Sequence, residues 1–353
     1  TFGLTPLVGE HYAKGNKAHA SKLLKNGAVL FTLISIATTL LLIGLRPLIH
    51  KMGALMISSG SDASINEVIE LALPYYDTII WSLLPVMIWG TVKQFLEGIG
   101  NTRIAMVTII ASNSINIFLN WVLIFGKFGL EPMGAVGAGL ATLISRIVQC
   151  LMMAGYFIYA PQFKEYTSKL FARTRLSVNA MREIMRVGTP ISFQMFMEAS
   201  VFALAGVLVL AFGAHSVSAY QIGVNMMNVT FMIVVAIGSA TTIICSHIYG
   251  RGDFSRLRDT MNASYQMGLM WNISIATLFI IFRYQIPALF TSNQEVINLT
   301  ASMLIFIAMF QVSDCLQALS ISILRGLQDV KVIMPIVFVS YILLNIPIGY
   351  ILA

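Results

Sequence analysis

Apolar residues run through this chain in long stretches separated by short polar turns. A helix rises about 1.5 Å per residue and the hydrocarbon core of a bilayer is about 30 Å thick, so crossing it takes about 20 largely apolar residues. Nine segments meet that requirement: 27–45, 70–96, 103–126, 136–160, 183–212, 216–247, 258–283, 297–325 and 331–353. None alternates apolar and polar positions as a strand would, and helices are the only open structures that satisfy every backbone group within lipid. The pattern therefore predicts an all-α membrane protein. Thr1 to Tyr12 reads like the tail of a further helix, and the chain opens with neither Met nor a signal-peptide pattern, so a partial sequence is expected.

Composition agrees with the pattern. Of 353 residues, 57% are hydrophobic and only 10% are charged, against about 25% charged in soluble domains. The net charge of +7 does not point to nucleic acid, because the bases sit in short runs between the apolar stretches. Lys14, Lys17, Lys22 and Lys25 precede the first full helix. On the same side fall Lys93 and Arg103, the bases from Lys164 to Arg186, then Arg251, Arg256 and Arg258, and finally Arg325 and Lys331. The opposite side holds only Arg46, Lys51, Lys127 and Arg283. This asymmetry puts the basic loops in the cytoplasm. Cys150, Cys245 and Cys315 each lie in an apolar stretch without C-x-x-C spacing, so neither a disulfide framework nor a zinc site is expected.

The longest cytoplasmic loop divides the chain into an N-terminal lobe at 1–160, a connector at 161–182 and a C-terminal lobe at 183–353. The connector is basic and amphipathic (Lys169, Arg173, Arg175, Arg182), as a membrane-surface segment held by anionic lipid would be. The lobes carry traces of a repeat. Tyr12-Ala13-Lys14-Gly15-Asn16 matches Tyr249-Gly250-Arg251-Gly252-Asp253, and Glu97-Gly98-Ile99-Gly100-Asn101 matches Arg325-Gly326-Leu327-Gln328-Asp329. An even number of helices separates the copies of the first pair, so the repeat is parallel, about an axis along the membrane normal. Two such bundles across a central cleft suit an alternating-access transporter.

Charges at membrane depth are costly and call for a reason. Glu198 lies about 15 residues into its helix, one turn beyond Gln194, and after Pro190. It is a candidate proton or sodium carboxylate; the alternative is an acid kept neutral by burial. Asp314 shares a polar face with Gln311 and Gln317. Asp77, beside Tyr75 and Tyr76 near an outer helix end, reads as interfacial structure. Arg146 is too deep for easy snorkelling and is expected to pair with an acid, Asp77 or one outside this sequence. Asn225 and Asn228 on one helix, and Asn113, Asn116 and Asn120 on another, either line a polar cavity or bond between helices. No H-E-x-x-H, Walker A or G-x-S-x-G sequence occurs, so an ion gradient or a partner, not bound ATP, is expected to supply energy.

Several of these pieces, in this order, resemble the multidrug and toxic compound extrusion family in its NorM-like branch. They are Thr5-Pro6-Leu7-Val8 with the Tyr12 turn, Glu97 to Arg103, Asn120 to Gly139, Gly188-Thr189-Pro190 to Glu198, Ala219-Tyr220-Gln221 to Asn225, and Asp314 to Gly326. The resemblance implies two six-helix lobes, of which this chain would lack helix 1, most of helix 2 and helix 12. It implies no enzyme and no resident cofactor. What it does imply is a monomeric antiporter of the bacterial inner membrane that exports organic cations against Na+ or H+. Glu198 and Asp314 fall on the family's helix 7 and helix 10 acids, tied to cation coupling and open to Na+; Gln194, Asn225, Gln311 and Gln317 would supply neutral oxygens around them. A lipid-linked oligosaccharide flippase of the same fold type is the rival reading, but it would want a larger cationic cleft. An intramembrane transferase would want clustered Asp or His, and the five histidines are dispersed.

Overall fold

The computed structural model describes residues 1–58, 64–171 and 176–345, with the side chains of 49–58, 64–71, 171 and 345 left out. Arg173 and Arg175 of the connector, the side chain of Lys51, and residues 346–353 of the last expected segment lie outside that description. Among the described residues there are helices and no strands. Eight helical segments are long and apolar enough to cross a membrane, and a shorter apolar stretch, Ile333–Leu344, begins the ninth.

Among the described residues, thirteen α-helices follow in order: α1 (Leu4–Ala13), α2 (Lys17–Ser58), α3 (Ser64–Trp81), α4 (Leu83–Gly98), α5 (Arg103–Phe125), α6 (Gly134–Tyr159), α7 (Lys164–Phe171), α8 (Val178–Leu210), α9 (Ala214–Arg251), α10 (Ser255–Ile281), α11 (Gln285–Ala288), α12 (Gln294–Gly326) and α13 (Ile333–Phe338). A π-helical turn, Val339–Asn345, continues α13. The expected second segment is broken at Ser82 into α3 and α4. Pro85 explains the break, because it has no N–H to return to the carbonyl one turn earlier.

The chain forms two compact units, one of Asn16–Ile184 and the other of Phe2–Gly15 with Met185–Ala353. The divide falls within α8, close to the end of the expected connector. Residues 2–15, assigned from sequence order to the first lobe, pack with the second unit.

In the first unit α6 packs against α3, α4 and α5, and α2 against α3 and α4. Tyr76 donates its hydroxyl to Leu42 O at 2.9 Å, and Ser112 Oγ donates to Ser145 O at 3.1 Å. The amphipathic α7 is held on its apolar side. Phe163, Tyr166 and Thr167 are buried; Tyr166 meets Phe95 edge-on at 5.1 Å and Phe163 stacks on Phe157 at 5.3 Å. On its wet side, the hydrogen bond from Lys169 to Glu165, with Lys17 nearby, holds the Glu165 carboxyl below the usual carboxylate range. Asn26, almost wholly buried on α2, accepts the backbone N–H of Ser177 at 2.7 Å and so ties the start of α8 to α2.

In the second unit α12 packs along α9 and α10, and α1 lies against α9. The approach of α1 is close. A Cβ at Gly250 would collide with the backbone oxygen of Glu10, so glycine alone fits there. The buried Glu10 carboxylate takes the Lys14 ammonium and a 2.5 Å hydrogen bond from Gln328 Nε2. These contacts explain why α1 groups with the second unit.

Backbone geometry bears on the sequence repeat. Gly15 and Gly252 are both left-handed, at φ 74° and 72°, as are Gly100 and Gln328, at 86° and 62°. The hydrogen bonds match as well. Ile99 N donates to Phe95 O at 3.1 Å and Asn101 N to Leu96 O at 2.8 Å; Leu327 N donates to Ile323 O at 3.0 Å and Asp329 N to Leu324 O at 3.0 Å. The same helix-ending turn thus closes α4 and α12.

Candidate functional site

Glu198 and Asp314 belong to the second unit, on α8 and α12. Each is partly buried, and they are near enough for Glu198 to act electrostatically on Asp314. Pro190 in α8 precedes the site by two turns, and its missing N–H loosens the helix ladder there. Gln194, one turn before Glu198, donates its Nε2 to Glu198 Oε2 at 3.0 Å. Its Oε1 accepts from Arg325 Nη2 at 2.6 Å. On the far side of Asp314, Gln317 Nε2 donates to the Tyr341 hydroxyl at 2.8 Å. That hydroxyl sits in the field of both acids. Three elements, α8, α12 and the turn after α13, therefore converge on one polar cluster. Chemically it offers two carboxylates, an amide and a phenol to a cation, with one guanidinium already in place.

Gln311 sits apart from this cluster. Gln311 was expected beside Asp314; it is 4% exposed and donates its Nε2 to Thr230 Oγ1 on α9 at 2.9 Å. It serves the α9–α12 seam, where Trp271 Nε1 also donates to Thr230 O at 3.1 Å. The polar spacing along α12 is real, but an i, i+3 series drifts round the helix, so Gln311 and Gln317 look different ways. Asn225 is exposed on α9, and Asn116 accepts from Asn120 within α5 at 3.0 Å.

Three charges take partners other than those expected. Arg146 Nη1 donates to Ser82 Oγ at 2.6 Å and, among the described residues, pairs with no acid, Asp77 included. Ser82 is fully buried at the α3–α4 break, so the break presents the acceptor. Asp77 pairs with Arg46 Nη2 at 2.8 Å, joining α3 to α2, which suits its structural reading. Arg325, counted among the cytoplasmic loop bases, turns inward to Gln194. Sequence reasoning missed it because a base one residue from a helix end ordinarily snorkels to water. The available signal was its place on α12 in line with the Asp314–Gln317 face.

The chain is similar to known proteins over nearly its whole length. It is 28% identical over 352 residues to the multidrug resistance protein NorM of Vibrio vulnificus, covering 99% of this chain and 75% of that protein. To the probable multidrug resistance protein NorM of Bacillus subtilis it is 29% identical over the same length, again covering 99% and 75%. Among solved structures, an outward-facing multidrug resistance MATE family transporter of the MOP superfamily superposes with a TM-score of 0.85. The identity is 18%, over 99% of this chain and 75% of that one, and shows a shared fold. The MatE family model matches residues 1–122 and 190–351, the second stretch containing both Glu198 and Asp314. Fold, order of motifs and family match agree: this multi-pass membrane chain belongs to the MatE family.

Proposed function

We propose that this protein is a multidrug-efflux transporter that exports small organic cations in exchange for Na+ or H+ by alternating access. The observation that carries the reading is the joining of Glu198 and Asp314, two acids on membrane-crossing helices, into one polar network with Gln194 and Tyr341. Acids at membrane depth are retained where ions or substrates pass. The likeness to NorM proteins of two bacteria supports efflux of several compounds and a place in the bacterial inner membrane.

The physical logic is competition. Ionised, the two carboxylates attract a cation, and Gln317 offers a neutral dipole beside it. Loading Na+ or a proton removes negative charge and weakens the hold on a cationic drug. Each ligand then favours the conformation in which its own binding is stronger, which is the coupling that exchange requires. The monomer suffices, since both acids come from one unit of one chain.

Inverted vesicles supplied with ethidium on the outside, and given first a sodium gradient and then a proton gradient, each high inside, test the proposal. Wild-type protein should move ethidium with one of the two gradients; Glu198→Gln and Asp314→Asn should each abolish that movement at normal expression. Gradient-driven transport retained by both variants would refute the assignment.

A further inference from the structure

Arg325 is the group in this network that no part of the exchange logic has used. It stands in the last turn of α12, where a long cationic side chain has water within easy reach. It points the other way. Its Nη2 donates to Gln194 Oε1 at 2.6 Å, and its Nε is enclosed without a hydrogen-bond partner among the described residues. Burying a guanidinium with one N–H unmatched is unfavourable unless the charge is held by something nearby. That something is Glu198, whose charge and that of Arg325 attract directly.

The amide between them has one workable orientation. With its oxygen on the guanidinium, Gln194 must turn its nitrogen to Glu198 Oε2. Reversed, the amide would set N–H against N–H at Arg325 and oxygen against oxygen at Glu198. Arg325 therefore orients Gln194, and Gln194 orients the carboxylate. The charged and titratable groups facing Glu198 among the described residues are Arg325 and Asp314 from α12 and Tyr341 from the turn after α13. Two ionised carboxylates and one guanidinium sum to a single negative charge.

Resting on the exchange reading above, we propose that Arg325 is a positioning and specificity-determining residue that, acting through Gln194, leaves the Glu198–Asp314 site one net negative charge and so selects monovalent over divalent cations. One monovalent cation neutralises the site. A second cation, or a dication, would leave the site with a net positive charge. The drug and the coupling ion then exclude one another because the guanidinium already occupies half of the carboxylate charge.

Ethidium and propidium give a matched pair of probes, a monocation and a dication on the same fluorescent ring system. Their affinities for the purified full chain in detergent are to be measured by fluorescence for wild type, Arg325→Met, Arg325→Gln and Arg325→Lys, each checked for a single gel-filtration peak. Removing the charge should strengthen propidium relative to ethidium by roughly tenfold, as one unit charge at about 12 Å from the second dye charge and an effective dielectric near 20 implies. Arg325→Lys should keep the wild-type ratio. A simple packing defect would weaken both dyes together. An unchanged ratio in whichever neutral variant folds, or a Lys variant that behaves like the neutral ones, overturns the proposal. Glu198→Gln in the same assay separates the two levels. If it leaves ethidium binding intact, the exchange reading itself fails. If it weakens ethidium while neutral Arg325 variants keep the dye ratio, only the role of Arg325 falls.

Discussion

Gly100 and Gln328 occupy equivalent positions in the two sequence repeats and share a left-handed backbone, at φ 86° and 62°. The first is a residue for which this conformation is free of strain; the second is not. Gln328 compensates with its side chain, which donates to the buried Glu10 carboxylate. Replacing Gly100 by Gln should cost about 1 kcal/mol, because the strain arrives without the compensating bond. Replacing Gln328 by Gly should be close to neutral, the relief and the lost bond offsetting one another. Thermal unfolding of the purified protein, followed by tryptophan fluorescence, measures both.

The seat of α1 on the second unit depends on Gly250. Any side chain there would strike the backbone at Glu10, which a rotamer change cannot relieve. Gly250→Val should destabilise by about 1–3 kcal/mol, the usual range for overpacking. Hydrogen–deuterium exchange should rise in residues 4–13 more than elsewhere; a uniform rise would contradict a local seat.

Ser82 gives Arg146 its hydrogen-bond acceptor inside the first unit. Ser82→Ala should cost about 1.5–3 kcal/mol, the scale of a hydrogen bond to a charged group. Adding Arg146→Met should cost less than the sum of the single changes, since the second substitution removes the charge that the first left stranded. A strictly additive pair in thermal unfolding would mean the bond contributes nothing.

Gln311 and Gln194 should separate in function. Gln311 is committed to Thr230 within the α9–α12 seam, so Gln311→Met should change ethidium affinity by less than about twofold while altering stability by about 1 kcal/mol. Gln194→Met removes the group between Arg325 and Glu198 and should change that affinity by several-fold, on the scale of hydrogen bonds between charged and neutral groups. Fluorescence titration with ethidium decides between them; equal effects would return Gln311 to the site.

Local chemistry alone determined much of this protein. Runs of about 20 apolar residues admit only helices in lipid, so the membrane-crossing pattern was legible from residue order. The basic loop asymmetry and the repeated Gly-containing turns were legible too, because helix endings are set by residues within a few positions of one another. Glu198 and Asp314 stood out because a carboxyl in an apolar stretch is conspicuous wherever it points. Tertiary structure alone decided the partners. Arg325 meets Gln194, Arg146 meets Ser82 and not Asp77, Gln311 meets Thr230, and α1 sits with the second unit. The reason is reach: a long polar side chain has several low-energy directions, and which one is used depends on what a neighbouring helix, distant in sequence, presents within about 3 Å.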